Sequence, residues 1–287
     1  MLTDENKLRI ALPGKGRLAE PAMELLKASG YSFRRSSRNL YASCRNADIV
    51  FIFLRADDIP VLVDSGVVDM GITGSDLVSE REANVAEVLE LGFGRCRLCV
   101  AGPEGVDGAG LEYFAGKTIA TSFPRTTRHF FAEQGVDVRT IEMNGSVEIM
   151  VGLRLADGIV DIVETGDSLR DNHLKVMAEI GTYQTVLIAN PAVADAPGVA
   201  QVRRRIEGVI VAERYSVLEY NIPADLLARA EEITPGFESP TVSQLDEEGW
   251  LAVKVMVEKP RVVPVMDELE ALGATAIFET HVRNCRL

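Results

Sequence analysis

Residues with a thiol or an imidazole group are scarce in this sequence. Its 287 residues include only four cysteines and three histidines. Cys96 and Cys99 form a single C-x-x-C pair within an apolar run, and neither a second pair nor a histidine lies at zinc-finger spacing. We therefore expect these cysteines to be structural, and we expect no zinc site.

Excess positive charge and long apolar stretches are also missing. The net charge of −13 argues against general binding to nucleic acids or acidic membranes, although it leaves room for a local basic pocket. No apolar stretch approaches the length of a membrane span, and the first ten residues lack the basic start and apolar core of a signal peptide. We therefore expect a cytoplasmic protein with no nucleic-acid or membrane partner.

The signature motifs of several enzyme classes are absent as well. The sequence contains no legible Ser-His-Asp or Cys-His set, no H-E-x-x-H and no protein-kinase signature. It also lacks the spacing of a Walker loop and of G-x-G-x-x-G. A reaction that needs no nucleophile from the protein therefore fits best.

The most informative stretch is residues 161–169, D-I-V-E-T-G-D-S-L, in which an apolar run leads into a small, hydroxyl-rich turn. Gly166 lets the backbone turn sharply and approach a ligand closely. Thr165 and Ser168 add hydroxyl groups, and consecutive backbone N–H groups in such a turn bind anions. A phosphate would fit there, and an acid just upstream suits a ribose diol or a metal ion. The short pattern alone, however, favours a plain strand-to-helix turn with a hydroxyl as the helix cap.

Two turns nearer the start of the chain have a similar character. Residues 14–17, G-K-G-R, separate a predicted strand from a predicted helix, where they hold an anion or simply carry solvated charges. Residues 73–76, T-G-S-D, follow another apolar run, at the place where ligands bind in open α/β sheets. Together with Arg55, these turns suit a phosphorylated, nucleotide-sized ligand. Transfer of a phosphoribosyl group is one reaction of this kind.

The order of apolar runs predicts an α/β protein with two lobes and a tail. The predicted limits are 1–94 with 182–213 for lobe I, 95–181 for lobe II, and 214–287 for the tail. Gly92 and Gly94 form a joint between the lobes. In lobe II a β-α-β-α-β alternation predicts a parallel sheet, with its second helix at residues 146–156. The tail has the β-α-β-β-α-β order of a ferredoxin-like domain, whose open sheet face suits packing against a second copy.

Several motifs together resemble the long form of the ATP phosphoribosyltransferase family, nearly from end to end. They are G-K-G-R-L at 14–18, F-L-R-A-D-D-I-P at 53–60, G-V-V-D-M-G-I-T-G-S-D-L-V at 66–78, L-G-F-G at 91–94, N-G-S-V-E at 144–148, D-I-V-E-T-G-D-S-L at 161–169 and T-P-G-F-E-S-P-T at 234–241. The combination is far more specific than any single motif. It favours a phosphate-binding role for residues 161–169.

The resemblance implies a glycosyltransferase that joins N1 of the adenine of ATP to the anomeric carbon of phosphoribosyl pyrophosphate. Mg²⁺ is the expected cofactor, pyrophosphate is the second product, and the reaction is the first step of histidine biosynthesis. Histidine is the expected feedback inhibitor. No metal ligand is assigned, because the substrate is expected to carry most of the Mg²⁺ coordination.

The resemblance also implies roles for individual residues. The expected catalytic residues are Arg17, Glu148 and Asp161. The expected ligands of phosphoribosyl pyrophosphate are Asp161, Glu164, Thr165, Gly166, Asp167, Ser168 and Leu169. The expected ATP contacts are Lys15, Gly16, Arg17, Arg55, Asp76 and Thr121. The expected histidine contacts in the tail are Asn221, Phe237, Ser239, Thr241 and Ala276.

The implied fold is a two-lobed core similar to periplasmic binding proteins, with a ferredoxin-like regulatory tail, assembled into dimers and hexamers. Three positions depart from the family pattern. Ser168 stands where the family usually has threonine, which keeps a hydroxyl group. Arg154 stands where it usually has glycine, so that the local helix sits differently or Arg154 reaches a phosphate. Asn221 stands where relatives can carry an acid, which alters the strength of feedback.

Two other functions fit parts of the sequence. A small-molecule sensor would pair a two-lobed binding core with a ferredoxin-like effector domain, but no helix-turn-helix or export signal supports it. A phosphoribosyltransferase for another base is the second alternative. The ordinary fold of that group places two consecutive acids in its loop, whereas Asp161 and Glu164 are separated here.

Overall fold

The structure is a computed structural model that describes residues 7–36, 39–106 and 110–286. The chain forms two compact units. The first contains the residues up to Glu24 together with Tyr31–Arg203, and the second contains Leu25–Gly30 together with the chain from Arg204 onward. The predicted tail thus lies entirely within the second unit.

Strands and helices alternate along most of the described chain. The strands are β1 (Leu8–Pro13), β2 (Tyr41–Ser43), β3 (Ile49–Leu54), β4 (Met70–Gly74), β5 (Ala86–Glu90), β6 (Cys96–Pro103), β7 (Thr118–Thr121), β8 (Arg139–Glu142), β9 (Gly158–Val163), β10 (Leu174–Tyr183), β11 (Thr185–Ala189), β12 (Tyr215–Pro223), β13 (Thr241–Gln244), β14 (Trp250–Glu258) and β15 (Thr275–His281). The helices are α1 (Ala19–Ala28), α2 (Ile59–Asp64), α3 (Ser75–Arg81), α4 (Pro124–Glu133), α5 (Ile149–Gly152), α6 (Asp167–Asp171), α7 (Pro197–Arg214), α8 (Leu227–Ile233) and α9 (Val262–Leu272).

The first sheet of the first unit has the strand order β2-β3-β1-β4-β11-β5. β1 pairs in parallel with β3 and β4, whereas β11 runs antiparallel to β4 and β5. The nearly continuous apolar sequence of β3, I-V-F-I-F-L, is typical of a strand that is covered on both faces. Because β1, β3 and β4 are parallel, their carboxyl ends share one edge of the sheet.

The second sheet of the first unit has the order β10-β6-β9-β7-β8. β7 pairs in parallel with β8 and β9, as predicted, but β6 and β10 are antiparallel additions. The parallel arrangement predicted from the β-α-β-α-β alternation is thus confirmed for its three strands, and the antiparallel β6 and β10 lie outside that alternation.

The second sheet is covered on both faces, since successive residues of a strand point to opposite sides. Val160 packs on one face with Phe114 and Phe131, whose rings meet edge to face at 5.8 Å. Ile159 packs on the other face in a cluster that includes Cys99. Cys99 is fully buried and Cys96 nearly so, and both thiols are free.

The segments that connect the two sheets lie side by side. The N–H of Leu91 donates to the carbonyl of Thr185 at 3.0 Å, and the N–H of Thr185 donates to the carbonyl of Phe93 at 3.2 Å. Gly94 has a φ of 66°. A Cβ there would lie 2.5 Å from Oγ1 of Thr185 and 2.6 Å from Leu18, so a larger residue does not fit. The predicted glycine joint thus lies at the crossing between the sheets.

The sheet of the second unit has the order β13-β14-β12-β15, with antiparallel neighbours throughout. Its core joins Leu218 and Tyr220 of β12 and Val255 of β14 to Leu269 of α9. This is the predicted ferredoxin-like arrangement. The predicted α/β class, with a two-lobed core and this tail, is confirmed, whereas the residue limits of the lobes remain predictions.

The helix predicted at residues 146–156 is much shorter than expected. Only α5, Ile149–Gly152, is helical. Ser146 and Arg154 have φ values of 52° and 57°, in the left-handed region that a right-handed helix cannot include. The apolar spacing of this segment therefore predicted a longer helix than its backbone allows.

The φ of Arg154 favours glycine at this position, which is the residue that the family resemblance leads us to expect there. We expect Arg154→Gly to stabilise the protein by about 0.5 to 1 kcal/mol, because glycine adopts this conformation without a steric penalty. Urea or thermal unfolding measures the change.

Arg128→Gly in α4 is the matched control, since glycine within a helix should cost about 1 kcal/mol. A loss of stability in Arg154→Gly would contradict the explanation and assign a stabilising contact to the arginine side chain.

Candidate active site

Polar turns follow the carboxyl ends of parallel strands in both sheets of the first unit. In the first sheet these turns carry Lys15, Gly16 and Arg17 after β1, Arg55 after β3, and Asp76 after β4. In the second sheet they carry Ser122 after β7, Asn144 after β8, and Glu164 after β9. Parallel strands that end at one edge bring such turns together, and ligands bind at this place in α/β folds.

A cavity of about 550 Å³ lies between these two sets of turns. Its volume is in the range of sites that hold small organic ligands. The residues that line it are Lys15, Gly16, Arg17, Leu18, Arg55, Ala56, Asp57, Asp76, Leu77, Glu80, Arg81, Ser122, Phe123, Glu142, Asn144, Asp161 and Ile162.

The guanidinium group of Arg17 joins the two sides of the cavity. Its Nη1 pairs with the carboxylate of Glu164, and its Nη2 donates to Sγ of Cys96 at 3.2 Å. One third of the Arg17 side chain remains exposed, which leaves it accessible to a ligand. A cation is therefore held at the place where the first turn of one sheet faces the last turn of the other.

Asp76 and Cys96 lie beside this guanidinium group in nearly dry surroundings. Burial raises the pKa of Asp76, while the nearby charge of Arg17 opposes that rise. Burial likewise raises the pKa of the Cys96 thiol, so that it remains protonated near neutral pH. Gly74 allows Asp76 to fold back over the end of β4, since a side chain at Gly74 would overlap Oδ1 of Asp76.

Asp161, on the opposite wall of the cavity, has a strongly raised pKa. Burial raises the pKa of Asp161 to about 6, and the negative charge of Glu148 contributes in the same direction. The backbone N–H of Ile162 donates to Oδ1 of Asp161 at 2.8 Å, which partly offsets the rise. Perturbed carboxyl groups in a cleft are characteristic of functional sites.

The turn after β9 holds its polar groups close together. Gly166 has a φ of 80°, in the left-handed region that favours glycine. Oγ1 of Thr165 donates to Oδ2 of Asp167 at 2.6 Å, and Arg170 pairs with the other oxygen of that carboxylate. This turn begins at Glu164, the partner of Arg17, so it adjoins the cavity.

Two family models match almost consecutive parts of the chain. The ATP phosphoribosyltransferase (HisG) model matches residues 55–208, and the HisG C-terminal domain model matches residues 212–284. The chain belongs to the ATP phosphoribosyltransferase family. The second match supports the long form of the enzyme. The predicted class, a pentosyltransferase that carries out the first step of histidine biosynthesis, is thereby confirmed.

Individual relatives agree with this assignment. The chain is 47% identical over 280 residues to an ATP phosphoribosyltransferase of Rhodopirellula baltica, covering 98% of this chain and 94% of that protein. It is 41% identical over 282 residues to that of Salinibacter ruber, covering 98% and 100%. Among solved structures, the ATP phosphoribosyl transferase (HisG:HisZ) complex from Thermotoga maritima matches with a TM-score of 0.61 and 33% identity. That match covers 70% of this chain and 98% of the other.

The structure brings together most residues that the family resemblance assigns to ATP. Those that line the cavity are Lys15, Gly16, Arg17, Arg55 and Asp76. Thr121 lies behind the wall, where it is fully buried and its Oγ1 accepts a hydrogen bond from the N–H of Phe123 at 2.9 Å. Ser122 and Phe123 form the wall surface instead.

Of the expected catalytic residues, Arg17 lies on the same wall as the ATP contacts, whereas Asp161 and Glu148 belong to the opposite side, with the expected phosphoribosyl pyrophosphate ligands in the adjoining turn. Asp161 lines the cavity, while Glu148 is partly buried and lies close enough to Asp161 to influence its pKa. Glu164, Thr165, Asp167 and Ser168 are exposed, and Leu169 is buried in the core. Leu169 could therefore contact a ligand only through its backbone.

Several cavity residues lie outside the motifs identified in the sequence, namely Glu80, Arg81, Phe123 and Glu142. Glu142 is the last residue of β8, and the rule about strand ends would have found it. Glu80 and Arg81 end the helix α3, where the local sequence contains no comparable signal.

The residues assigned to histidine binding lie around the open face of the second unit's sheet. Asn221 of β12 pairs with Ala252, which pairs on its other side with Ser243, so β14 separates Asn221 from Thr241. Phe237 stacks at 4.5 Å against Tyr215 beside a cavity of about 220 Å³, and Ser239 is exposed in the same loop. Ala276 has a φ of 49° within an irregular part of β15.

Two absences concern only the described part of the chain. Residues 7–36, 39–106 and 110–286 contain no group of three or more His, Cys, Asp or Glu side chains arranged to hold a metal ion. Over the same ranges, no helix is long and apolar enough to span a membrane.

The raised pKa of Asp161 predicts a specific dependence of stability on pH. A carboxyl group that binds its proton more tightly in the folded chain stabilises the fold at low pH, and this contribution is lost as pH rises through about 6. We therefore expect Asp161→Asn to gain stability relative to the parent between pH 4 and pH 6.5, by about 2 to 3 kcal/mol. Urea unfolding at several pH values measures the difference. If the free energy of unfolding varied with pH in the same way for both proteins, the raised pKa of Asp161 would be contradicted.

Proposed function

We propose that the cavity is the catalytic site and that each side of it binds one substrate. ATP occupies the side formed by Lys15, Arg17, Arg55 and Asp76, which we call the ATP side. Phosphoribosyl pyrophosphate occupies the side formed by Asp161 and residues 164–169, which we call the sugar side. The observation that carries the proposal is the contact between Arg17 of the first sheet and Glu164 of the second, at the edge of this cavity.

The reaction forms a bond between N1 of adenine and the anomeric carbon and breaks the bond from that carbon to pyrophosphate. The electron pair of the broken bond leaves with pyrophosphate. Positive charge develops on the ribose as this bond breaks, and the carboxylates of Asp161 and Glu148 favour that charge. The protein supplies alignment and electrostatics rather than a nucleophile.

The arrangement of charges supports a requirement for Mg²⁺. The cations that line the cavity are Lys15, Arg17, Arg55 and Arg81, and the carboxylates are Asp57, Asp76, Glu80, Glu142 and Asp161. This lining does not offset the charge of two phosphorylated substrates. Mg²⁺ binds through substrate phosphates and one or two carboxylates, and Asp161 with Glu148 suits that role. When bound, Mg²⁺ would neutralise the leaving pyrophosphate.

The sugar-side turn supports binding of the 5-phosphate. Its backbone at Gly166 adopts the left-handed conformation, and turns of this kind can present consecutive N–H groups to one anion. Thr165 and Ser168 place hydroxyl groups at the same turn, and both residues are exposed. These groups bind a phosphate without requiring a dedicated lysine.

The second unit supports a regulatory role with histidine as the inhibitor. Its open sheet face carries Asn221, and a loop leads from Thr234 past Phe237 toward β13. Thr234 is buried, and its Oγ1 lies 2.8 Å from the hydroxyl of Tyr220, which anchors the start of that loop. An amide at Asn221 binds a histidine ammonium group less strongly than a carboxylate would.

We extend the proposal to assembly and location. The second unit exposes Phe237, Val242 and Phe278, and apolar exposure of this kind is typical of surfaces between copies of a chain. A dimer or hexamer in the cytoplasm is the proposed form.

An assay of pyrophosphate release from ATP, phosphoribosyl pyrophosphate and Mg²⁺ tests the function and the sugar-side turn together. We expect Ser168→Ala to raise the KM for phosphoribosyl pyrophosphate about tenfold, because one hydrogen bond to a charged phosphate is lost. Ser168→Thr is the matched control and should remain within about twofold, since it keeps the hydroxyl group.

The outcomes separate the parts of the proposal. Absence of pyrophosphate release by the parent protein would contradict the function, whereas an unchanged KM in Ser168→Ala would contradict only the role of the turn. Adding histidine should slow release by the parent, and a rate that does not respond would exclude the proposed feedback.

A further inference from the structure

Helix α4 begins at the cavity wall without a cap from its own sequence. Phe123 occupies the N-cap position and makes no side-chain capping hydrogen bond, and Pro124 follows as the first helical residue. The first N–H groups of a helix have no acceptor within the helix. Pro124 has no N–H group, so in α4 the N–H groups of Arg125 and Thr126 need acceptors from elsewhere.

Glu80 supplies those acceptors from another helix. Its Oε1 accepts a hydrogen bond from the N–H of Arg125 at 2.9 Å. Its Oε2 accepts from the N–H of Thr126 at 2.9 Å and from Oγ1 of Thr126 at 2.7 Å. Glu80 is only 8% exposed. The carboxylate is thus largely removed from water and satisfied by three donors.

This contact connects elements of the two different sheets. Glu80 lies on α3, which directly follows β4 of the first sheet and carries the cavity residues Asp76 and Leu77. Its partners lie in the first turn of α4, which follows β7 of the second sheet and the cavity residues Ser122 and Phe123. The Glu80 contact therefore joins α3, beside the ATP side of the cavity, to α4 of the second sheet, and the same sheet carries the sugar side on β9.

The contact between Arg17 and Glu164 also joins the two sheets, but it is half-exposed, and a phosphate competes for its guanidinium group. The Glu80 contact differs because its donors are mostly backbone N–H groups held in a helix. It involves no cation, so a phosphate that binds Arg17 does not compete for it.

We propose that Glu80 is a positioning residue that sets the separation of the two substrates across the cavity. The inference rests on the proposed placement of ATP and phosphoribosyl pyrophosphate on opposite sides. Each substrate binds mainly to its own side. Loss of the Glu80 contact therefore leaves the affinity for a single substrate almost unchanged. Alignment of N1 with the anomeric carbon requires both sides, and a displacement of about 1 Å in such an alignment can lower the rate about a hundredfold.

The test compares two variants of Glu80 with a neighbouring carboxylate. Glu80→Ala removes all acceptors and should lower kcat about a hundredfold. Glu80→Gln keeps one acceptor oxygen but turns an NH₂ group toward an N–H donor, and it should lower kcat about tenfold. Glu82→Gln is the matched control, because the ion pair of Glu82 with Arg125, at 2.9 Å, joins the same two helices through exposed side chains and contributes little. It should remain within about twofold.

Calorimetric titration with Mg²⁺ and phosphoribosyl pyrophosphate gives the affinity for this substrate alone and the fraction of competent sites. We expect an affinity within about threefold of the parent, full stoichiometry, and a large loss of kcat per competent site in both Glu80 variants. A kcat per competent site within twofold of the parent would overturn the proposal. A loss of kcat that merely follows the loss of competent sites would overturn it too, because it would mark a purely structural role. Activity and titration of the parent protein test the proposed function separately.

Discussion

The site depends on one constraint, which is that the charges facing the cavity must be compensated across two separate sheets. The guanidinium group of Arg17 comes from the turn after β1, whereas its partner Glu164 comes from the turn after β9. Asp76 lies close to the same guanidinium group and is nearly buried. Arg17 thus has one acidic neighbour from its own sheet and one from the other sheet, and the carboxyl ends of both sets of parallel strands contribute to the cavity.

The fold meets this constraint through the crossing between the sheets. Thr185 hydrogen-bonds to both Leu91 and Phe93, so the outgoing and returning segments are fixed to one another. Gly94 allows their close approach. The chain can therefore present two α/β layers toward one cavity, where the proposed function requires two substrates to be aligned.

The sequence predicted best those residues that directly follow an apolar run. Arg17, Asp76 and Asp161 each lie in or just after a buried strand, and strand ends determine where ligand-binding turns gather. The length of helix α5 was overestimated, because apolar spacing does not reveal the left-handed backbone of Ser146 and Arg154. The role of Glu80 had no local signal, since its partner Arg125 lies 45 residues away and contributes a backbone group rather than a recognisable side chain.

The proposed placement of the substrates is tested most directly by a crystal structure of the protein with Mg²⁺ and phosphoribosyl pyrophosphate. We expect the 5-phosphate within hydrogen-bond distance of the backbone N–H groups around Gly166, with the pyrophosphate directed toward the cavity and Arg17. A 5-phosphate bound elsewhere, with the turn after β9 facing only solvent, would contradict this placement.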